Sequence, residues 1–363
     1  MSVMRRTLLV ATAALVWLGV AAPPASAHSV AGVSATNFHT TLRSVNPAVP
    51  GLDVKVIEAG SRLEVENRSG QDLLVIGYKS EPFLRVGPEG VFENKLSPTT
   101  YISRSRKGGT PPREAEEAQV GDTDWEKVSS EPIARWHDHR IHWMGNPAGP
   151  PEVRNDPDKR HVIKMSPNEP QWSVPMRLGT QDISAKGDLV WQPGPSPLPW
   201  FALIAAALAV VVVLGRRPGW AASLAAVTAV LLAVDAFHVV GLGLANAGEL
   251  GSRLTKSITQ SPFQPVAWAV GVLAIVWLRR GRSEGLSLAA VAGLQIAFLG
   301  GVADLGNLSR SEVPFGFAAD LARLAVALSV GLGLGLALAA VLRAVGVFGP
   351  ARNPAPDDAL APA

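Results

Sequence analysis

The chain has 363 residues, a formal net charge of +3 and no cysteine. The lack of cysteine excludes disulfides, thiolate metal sites, iron–sulfur clusters and cysteine nucleophiles, and the absence of a basic cluster with interleaved aromatics excludes a nucleic-acid partner. Polar stretches lie almost entirely before residue 196 and long apolar runs lie after it. The sequence therefore predicts a polar domain followed by a membrane region that contacts the lipid bilayer.

Residues 1–27 have the pattern of a signal peptide. Two arginines precede an apolar run, and Ala25-Ser26-Ala27 is a small-residue cleavage site. The alternative is an uncleaved first membrane helix, although the apolar run is short for a span. Cleavage after Ala27 would make His28 the mature N-terminus, whose α-amine and imidazole can both bind one ion.

Residues 28–193 are predicted to form one extracytoplasmic all-β sandwich domain of the immunoglobulin or cupredoxin type. Short runs with strand character are separated by Gly, Pro, Asn and Asp at a spacing typical of sandwiches. The predicted strands are Leu52–Ile57, Arg62–Glu66, Leu73–Tyr78, Phe83–Val86, Thr99–Ile102, Val162–Met165, Trp172–Leu178 and Asp188–Trp191. The turn at Asn67-Arg68-Ser69-Gly70 predicts a hairpin over residues 62–78.

The segment Trp136–Met144 is rich in possible metal ligands. It holds three of the seven histidines and one of the five methionines, and imidazole and thioether groups both bind copper. In a strand, His137 and His139 would share one face about 6.7 Å apart, and His142 would join them only through a turn near Ile141. The alternative is a Trp-rich core strand whose histidines form hydrogen bonds at its rim. The candidate metal ligands are His28, His39, His137, His139, His142 and Met144.

A Pro-rich linker, residues 194–199, precedes a predicted membrane region of about five helices, residues 200–345. The predicted spans are 200–215, 219–240, 264–279, 286–305 and 320–345. Arginines concentrate in the loops on one side of these spans. This asymmetry predicts a multi-pass plasma-membrane protein with the β domain outside and the tail, residues 346–363, disordered in the cytoplasm.

Several ionisable residues lie near the predicted outer ends of the spans. Asp235 and His238 are one helical turn apart in the second span and share a face, and Asp304 lies near the outer end of the fourth. Charged groups at membrane depth are costly and usually face a cavity or a partner. We therefore predict a relay of Asp235, His238 and Asp304 at the membrane edge. The alternative is that they lie among the lipid headgroups, where the cost is small.

The predicted terminus at His28, the histidine-rich segment and the order of the domains resemble bacterial copper-handling proteins of the CopC/CopD type. They also resemble exported actinobacterial copper-binding proteins whose mature chains begin with His. The spacing His137-x-His139 differs from the Asp-x-His ligand pair of CopC. The resemblance implies a membrane-anchored protein that binds copper outside the cell, in uptake, storage, resistance or sensing.

An enzyme and a partner-binding module are the two other classes of function that the sequence could indicate. No arrangement of a nucleophile with a base is apparent, so we expect no enzymatic activity. The main alternative is an envelope protein whose β-sandwich binds a protein or glycan partner, with the spans as its anchor.

Overall fold

A computed structural model of the protein describes residues 34–146, 148–165 and 170–348. Strands occupy the first half of these residues and apolar helices the second half, as the division in composition predicts. The signal peptide, His28 and nearly all of the tail lie outside the described residues, so the predictions made for them stay predictions.

The β domain is built from two antiparallel sheets that share one core. Its strands are β1 Phe38–Asn46, β2 Leu52–Ile57, β3 Arg62–Asn67, β4 Leu73–Ile76, β5 Pro82–Gly87, β6 Gly90–Asn94, β7 Trp125–Ser129, β8 Ile133–Trp136, β9 His161–Ile163, β10 Trp172–Leu178 and β11 Gln181–Trp191. The larger sheet has the order β1-β11-β10-β4-β5-β6-β7, with β9 beside β11, and the smaller has the order β2-β3-β8. Leu63 and Val65 of the smaller sheet pack with Val75, Phe83 and Trp172 of the larger. Burying each such side chain contributes about 1.5–3 kcal/mol.

The predicted hairpin over residues 62–78 is wrong. Strand β3 pairs with β2 and β8, whereas β4 pairs with β5 and β10, so the two strands belong to different sheets. The turn after β3 carries the chain from one sheet to the other. The buried side chain of Asn67 holds this crossing, since its amide donates to the carbonyls of Gln71 and Val86, both at 2.7 Å.

The strand predicted at Thr99–Ile102 is also wrong, because these residues lie in the short helix α1, Pro98–Ile102. Proline in the first turn of a helix has no amide to leave unpaired and a suitable φ, which favours this outcome. Two further short helices are α2, Arg113–Glu117, and α3, Pro151–Asn155. Strands β1, β6, β7 and β8 were not predicted.

The helical region contains α4 Leu198–Arg216, α5 Trp220–Leu244, α6 Leu250–Thr259, α7 Gln264–Arg279, α8 Glu284–Gln295 and α9 Ala319–Ala344. Helix α8 continues as a π-helix, Ile296–Gly301, and then as a 3-10 helix, Val302–Ser309. Four helices are long and apolar enough to span a membrane, namely α4, α5, the continuous stretch Glu284–Ser309 and α9. Helices α6 and α7 meet that criterion only as a pair bent by 74°. The described residues thus provide four spans, or up to five if the bent pair counts as one.

The β domain contacts the loop between the 3-10 helix and α9. Thr36 and Glu312 form an isolated antiparallel β-bridge, and the Nδ1 atom of His39 lies 2.7 Å from Oε1 of Glu312. The amide of Ser311 donates to Oδ1 of Asn37 at 2.9 Å. The start of strand β1 is therefore attached to the helical bundle through both backbone and side-chain bonds.

A second contact joins the β2–β3 turn to the loop after α5. The amide of Ala247 donates to Oε1 of Glu58 at 3.3 Å. Glu58 and the following Ala59 have positive φ angles of 53° and 52°, which are uncommon for residues other than glycine. This tight turn directs the carboxylate of Glu58 towards the bundle.

Candidate functional site

The histidine-rich segment forms a turn rather than the continuous strand that the sequence predicts. Strand β8 ends at Trp136, and the amide of Ile141 donates to the carbonyl of Asp138 at 3.2 Å. The ring centroids of His139 and His142 then lie 5.3 Å apart, with the rings inclined at 62°. The sequence predicts that His142 can approach the other histidines only if the chain turns near Ile141, and the turn lies there.

A buried ion pair holds this turn in place. Arg140 donates from Nε to Oδ1 of Asp138 at 2.8 Å and from Nη2 to Oδ2 at 2.7 Å, and the indole of Trp136 donates to Oδ2 at 2.9 Å. Burial alone would raise the pKa of Asp138, but the charge and hydrogen bonds of Arg140, with the indole bond, lower it below its usual value. The carboxylate therefore stays ionised although it is fully buried.

The ring of His137 is directed to Ser61 and does not join the other two. Its Nδ1 lies 2.9 Å from the carbonyl oxygen of Ser61 and 3.1 Å from its hydroxyl. Because a carbonyl can only accept, Nδ1 carries the hydrogen and Nε2 keeps the lone pair. Burial lowers the pKa of His137, so the ring is neutral near pH 7.

His139 is oriented by two neighbours. Its Nε2 lies 3.1 Å from the carbonyl oxygen of Ser105, which makes Nε2 the protonated nitrogen and leaves a lone pair on Nδ1. Its backbone amide donates to the hydroxyl of Tyr78 at 2.9 Å, and the two rings stack at 6.0 Å. Fixing one imidazole nitrogen on a carbonyl is how proteins orient a metal-binding histidine.

His142 is the least satisfied polar side chain of the segment. It is 2% exposed, and neither ring nitrogen makes a hydrogen bond of ordinary length and angle among the described residues, although the backbone of Trp143 lies close enough to act on its pKa. Burial lowers its pKa to about 3, and the nearby charges of Arg106 and His139 add to the effect. The backbone of Trp143 and the charge of Asp138 oppose this shift without outweighing it. His142 is therefore neutral, the form that binds metals.

Of the other candidate ligands among the described residues, His39 is bound elsewhere and Met144 is largely exposed. The imidazole of His39 is bound to Glu312. The hydroxyl of the next residue, Thr40, donates to the carbonyl of Ile141. Because successive side chains of a strand point to opposite faces, His39 points away from the histidine-rich segment. Met144 is 48% exposed. Within residues 34–146, 148–165 and 170–348, no three His, Asp or Glu side chains converge as a metal site requires. The pair His139–His142 is thus a partial set of donors.

The three predicted membrane-edge residues do come together. Asp235 and His238 are both 0% exposed, and Nε2 of His238 lies 3.5 Å from Oδ2 of Asp304. The indole Nε1 of Trp268 donates to Oδ2 of Asp235 at 2.7 Å. Gln295 donates to the carbonyl of Phe263 at 2.7 Å. These contacts show proximity in the bundle, and the relay itself stays a prediction.

Sequence reasoning missed Arg106, Ser61, Gln264 and Trp268. Arg106 and Ser61 lie far from the histidines along the chain, so no local pattern links them. Gln264 and Trp268 carried a usable signal, because groups four residues apart on an apolar helix share one face.

Comparison of the chain with protein-family models, with curated proteins and with solved structures finds no match.

Proposed function

We propose that the protein is a non-enzymatic, membrane-anchored copper-binding protein whose β domain supplies His139 and His142 as ligands. The observation that supports this is the state of His142, which is buried and neutral with both ring nitrogens unbonded in the described part of the chain. Leaving a buried polar group unsatisfied costs about 1–3 kcal/mol. A metal ion beside His139 would remove that cost.

The chemistry of the donors suits copper. Imidazole nitrogens favour Cu(II), which stands at the top of the affinity order for divalent first-row metals. The hydrogen bond to Ser105 fixes the tautomer of His139 and leaves a lone pair on its Nδ1. The ring centroids of His139 and His142 are 5.3 Å apart. Two nitrogens do not complete a tetragonal site. The predicted mature terminus at His28 would add an α-amine and a third imidazole.

The proposal includes the predicted location and fold type. The β domain would lie outside the plasma membrane, as an immunoglobulin-like or cupredoxin-like sandwich, and would bind copper for uptake, storage, resistance or sensing. The chain's resemblance to CopC/CopD-type proteins is one reason for proposing copper as the ligand.

The alternative, a module that binds a protein or glycan, would need a continuous exposed surface for its partner. In the described part of the β domain, the large exposed apolar side chains are Val120, Val128, Met144 and Val162. They lie on separate segments of the chain.

The test is copper binding by the processed full-length protein in detergent. We expect about one Cu(II) per chain, measured by metal analysis after dialysis and by electron paramagnetic resonance. His142→Phe keeps a buried aromatic ring at this position and removes the ligand, so it should weaken binding roughly 10-fold or more, since each factor of ten corresponds to about 1.4 kcal/mol. His161→Gln is the matched control, because that imidazole is bonded to the Asp156 carbonyl at the rim.

A second variant tests His28. One residue added before it would convert the α-amine to an amide and leave every side chain in place, and binding should weaken roughly 10-fold. Equal affinity in the wild type and in His142→Phe would contradict the proposal. If copper affinity falls in His142→Phe but does not change when a residue is added before His28, then His139 and His142 remain the proposed ligands and His28 is not one of them.

A further inference from the structure

A group of polar side chains lies inside the apolar bundle, towards the end that contacts the β domain. Helix α5 contributes Asp235 and His238, helix α7 contributes Gln264 and Trp268, and the 3-10 helix contributes Asp304. We name these five residues the membrane polar cluster. An anchor would not need ionisable groups here, because removing charge from water into an apolar bundle is costly.

The backbone of the adjoining span is irregular beside this cluster. After Gln295 the helix changes to π and then to 3-10 geometry, and Gly300 lies in the π segment. A Cβ atom on Gly300 would lie 2.6 Å from Oδ1 of Asp235 and 3.2 Å from Nε2 of Gln264. Both polar atoms therefore border the same point, which only a glycine leaves open. Single π-helical turns occur frequently at functional sites.

The amide of Gln264 points independently to a missing ligand. The residue is 2% exposed, and its Nε2 has no hydrogen-bond partner in the described part of the chain. This donor borders the same point as the Oδ1 acceptor of Asp235. The Gln264 amide is therefore a hydrogen-bond donor beside the Asp235 carboxyl, and Gly300, which has no side chain, lets both groups lie this close to the backbone.

Asp304 connects the cluster to the surface. Its side chain is 15% exposed, whereas that of His238, 3.5 Å away, is 1% exposed. The rings of Phe237, Phe315 and Phe317 pack together, and Phe315 lies 5.9 Å from the ring of His238. This aromatic group covers His238 on that side, so among the three ionisable members of the cluster Asp304 is the partly exposed one.

Other charged side chains at this end of the bundle are engaged elsewhere. Arg253 and Lys256 of α6 bind the carbonyls of Leu244 and Ala247. In α9, Arg323 binds Asp320 and two backbone carbonyls. In the loop before α9, Glu312 binds His39. These groups thus bind partners outside the cluster, whose ionisable members are two carboxyls and one imidazole.

We propose that the membrane polar cluster is a proton-binding site that exchanges protons with the compartment the β domain faces. Asp304 receives the proton at the surface, His238 passes it inwards, and Asp235 holds it beside the Gln264 amide and the Trp268 indole. A proton is the cation these residues suit, because no three His, Asp or Glu side chains of the described residues converge as a metal site requires, and a proton needs only one donor at a time. Binding it offsets the excess negative charge in the bundle.

The test is a pH titration of the full-length protein in lipid vesicles, followed by infrared difference spectroscopy over about pH 4–9. We expect a C=O stretching band of a protonated, water-excluded carboxyl to appear as the pH falls. Asp235→Asn should remove that band. His238→Gln should move its midpoint by about one pH unit, a tenfold change in proton affinity. Asp320→Asn, at a 78% exposed carboxylate beside the membrane, is the matched control and should leave the band and its midpoint unchanged.

Tryptophan fluorescence gives a second readout in the same vesicles. The Trp268 indole donates to Asp235, so the difference between wild type and Trp268→Phe should titrate with the same midpoint as the infrared band. If Asp235→Asn does not fold, His238→Gln and Asp304→Asn decide the matter. A band and a midpoint unchanged by both of these variants would overturn the proposal.

Discussion

His39 of strand β1 and Glu312 of the loop before α9 are joined by a side-chain hydrogen bond between the β domain and the helical bundle, with Nδ1 and Oε1 2.7 Å apart. From the sequence, His39 was a candidate metal ligand, and in the structure its imidazole is bound to a carboxylate. The backbone bridge between Thr36 and Glu312 lies beside this pair. The interface therefore combines a side-chain bond with backbone bonds.

Glu312→Gln should loosen the interface only slightly. Both side chains are partly exposed, and an exposed ion pair contributes about 0–1 kcal/mol. We expect amide hydrogen exchange at residues 36–39 to rise less than about 5-fold, which corresponds to 1 kcal/mol. Asp320→Asn is the control. A rise of several hundredfold would show that the carboxylate, and not the backbone bridge, holds the domains together.

Asp138→Asn should destabilise the β domain by about 3–5 kcal/mol, because it leaves Arg140 buried without its counter-charge. Chemical unfolding followed by Trp fluorescence measures the loss. Asp182→Asn is the matched control, since the ion pair of Asp182 with Arg177 is exposed and should contribute about 0–1 kcal/mol. A similar small loss in both variants would mean that the turn at residues 138–141 holds without the buried pair.

His142 should make the stability of the β domain depend on pH. Its pKa is lowered from 6.5 to about 3 in the folded protein, so between these values the unfolded chain binds more protons than the folded one. Stability must then fall as the pH falls below 6.5, by about 3 kcal/mol on reaching pH 4 at 1.36 kcal/mol per pH unit.

Unfolding midpoints measured from pH 8 to about pH 4 check this dependence. His142→Phe should flatten the curve, because it removes the titrating ring. His161→Gln should follow the wild type. Parallel curves for wild type and His142→Phe would mean that His142 takes up its proton in the folded state.

Arg106→Ala should strengthen Cu(II) binding. The guanidinium of Arg106 is among the causes that lower the pKa of His142, and the same positive charge opposes a metal ion at that ring. Relief of about 1 kcal/mol corresponds to roughly 5-fold tighter binding. Arg104→Ala is the control, since that exposed side chain lies over the ring of Tyr101. Unchanged or weaker binding in Arg106→Ala would place the ion away from His142.

A reporter fused after Ala363 should be active only in the cytoplasm. The arginine asymmetry of the loops predicts five spans, and the bent pair α6–α7 would supply the fifth. Activity outside the cell would mean that this pair, bent by 74°, enters and leaves the membrane on one side, so that four helices span it.

The sequence by itself determined the division of the chain into a β-rich and a membrane part, most strands of the large sheet and the positions of the apolar helices. These depend on local patterns, namely alternation, long apolar runs and turn residues. It also located Asp235 and His238 on one helix face, since 3.6-residue periodicity is a local property. Their proximity to Asp304 was predicted from depth in the membrane alone.

Only the tertiary structure decided which strands pair, because pairing joins residues far apart in the chain and β3 and β4, although adjacent, enter different sheets. The same holds for the histidine segment. Asp138 is ionised and buried because Arg140 folds back onto it, and that turn pairs His139 with His142 and directs His137 to Ser61. Desolvation and charge, which set the state of His142, depend on Arg106 and on burial in the core, and these appear only when the chain is folded.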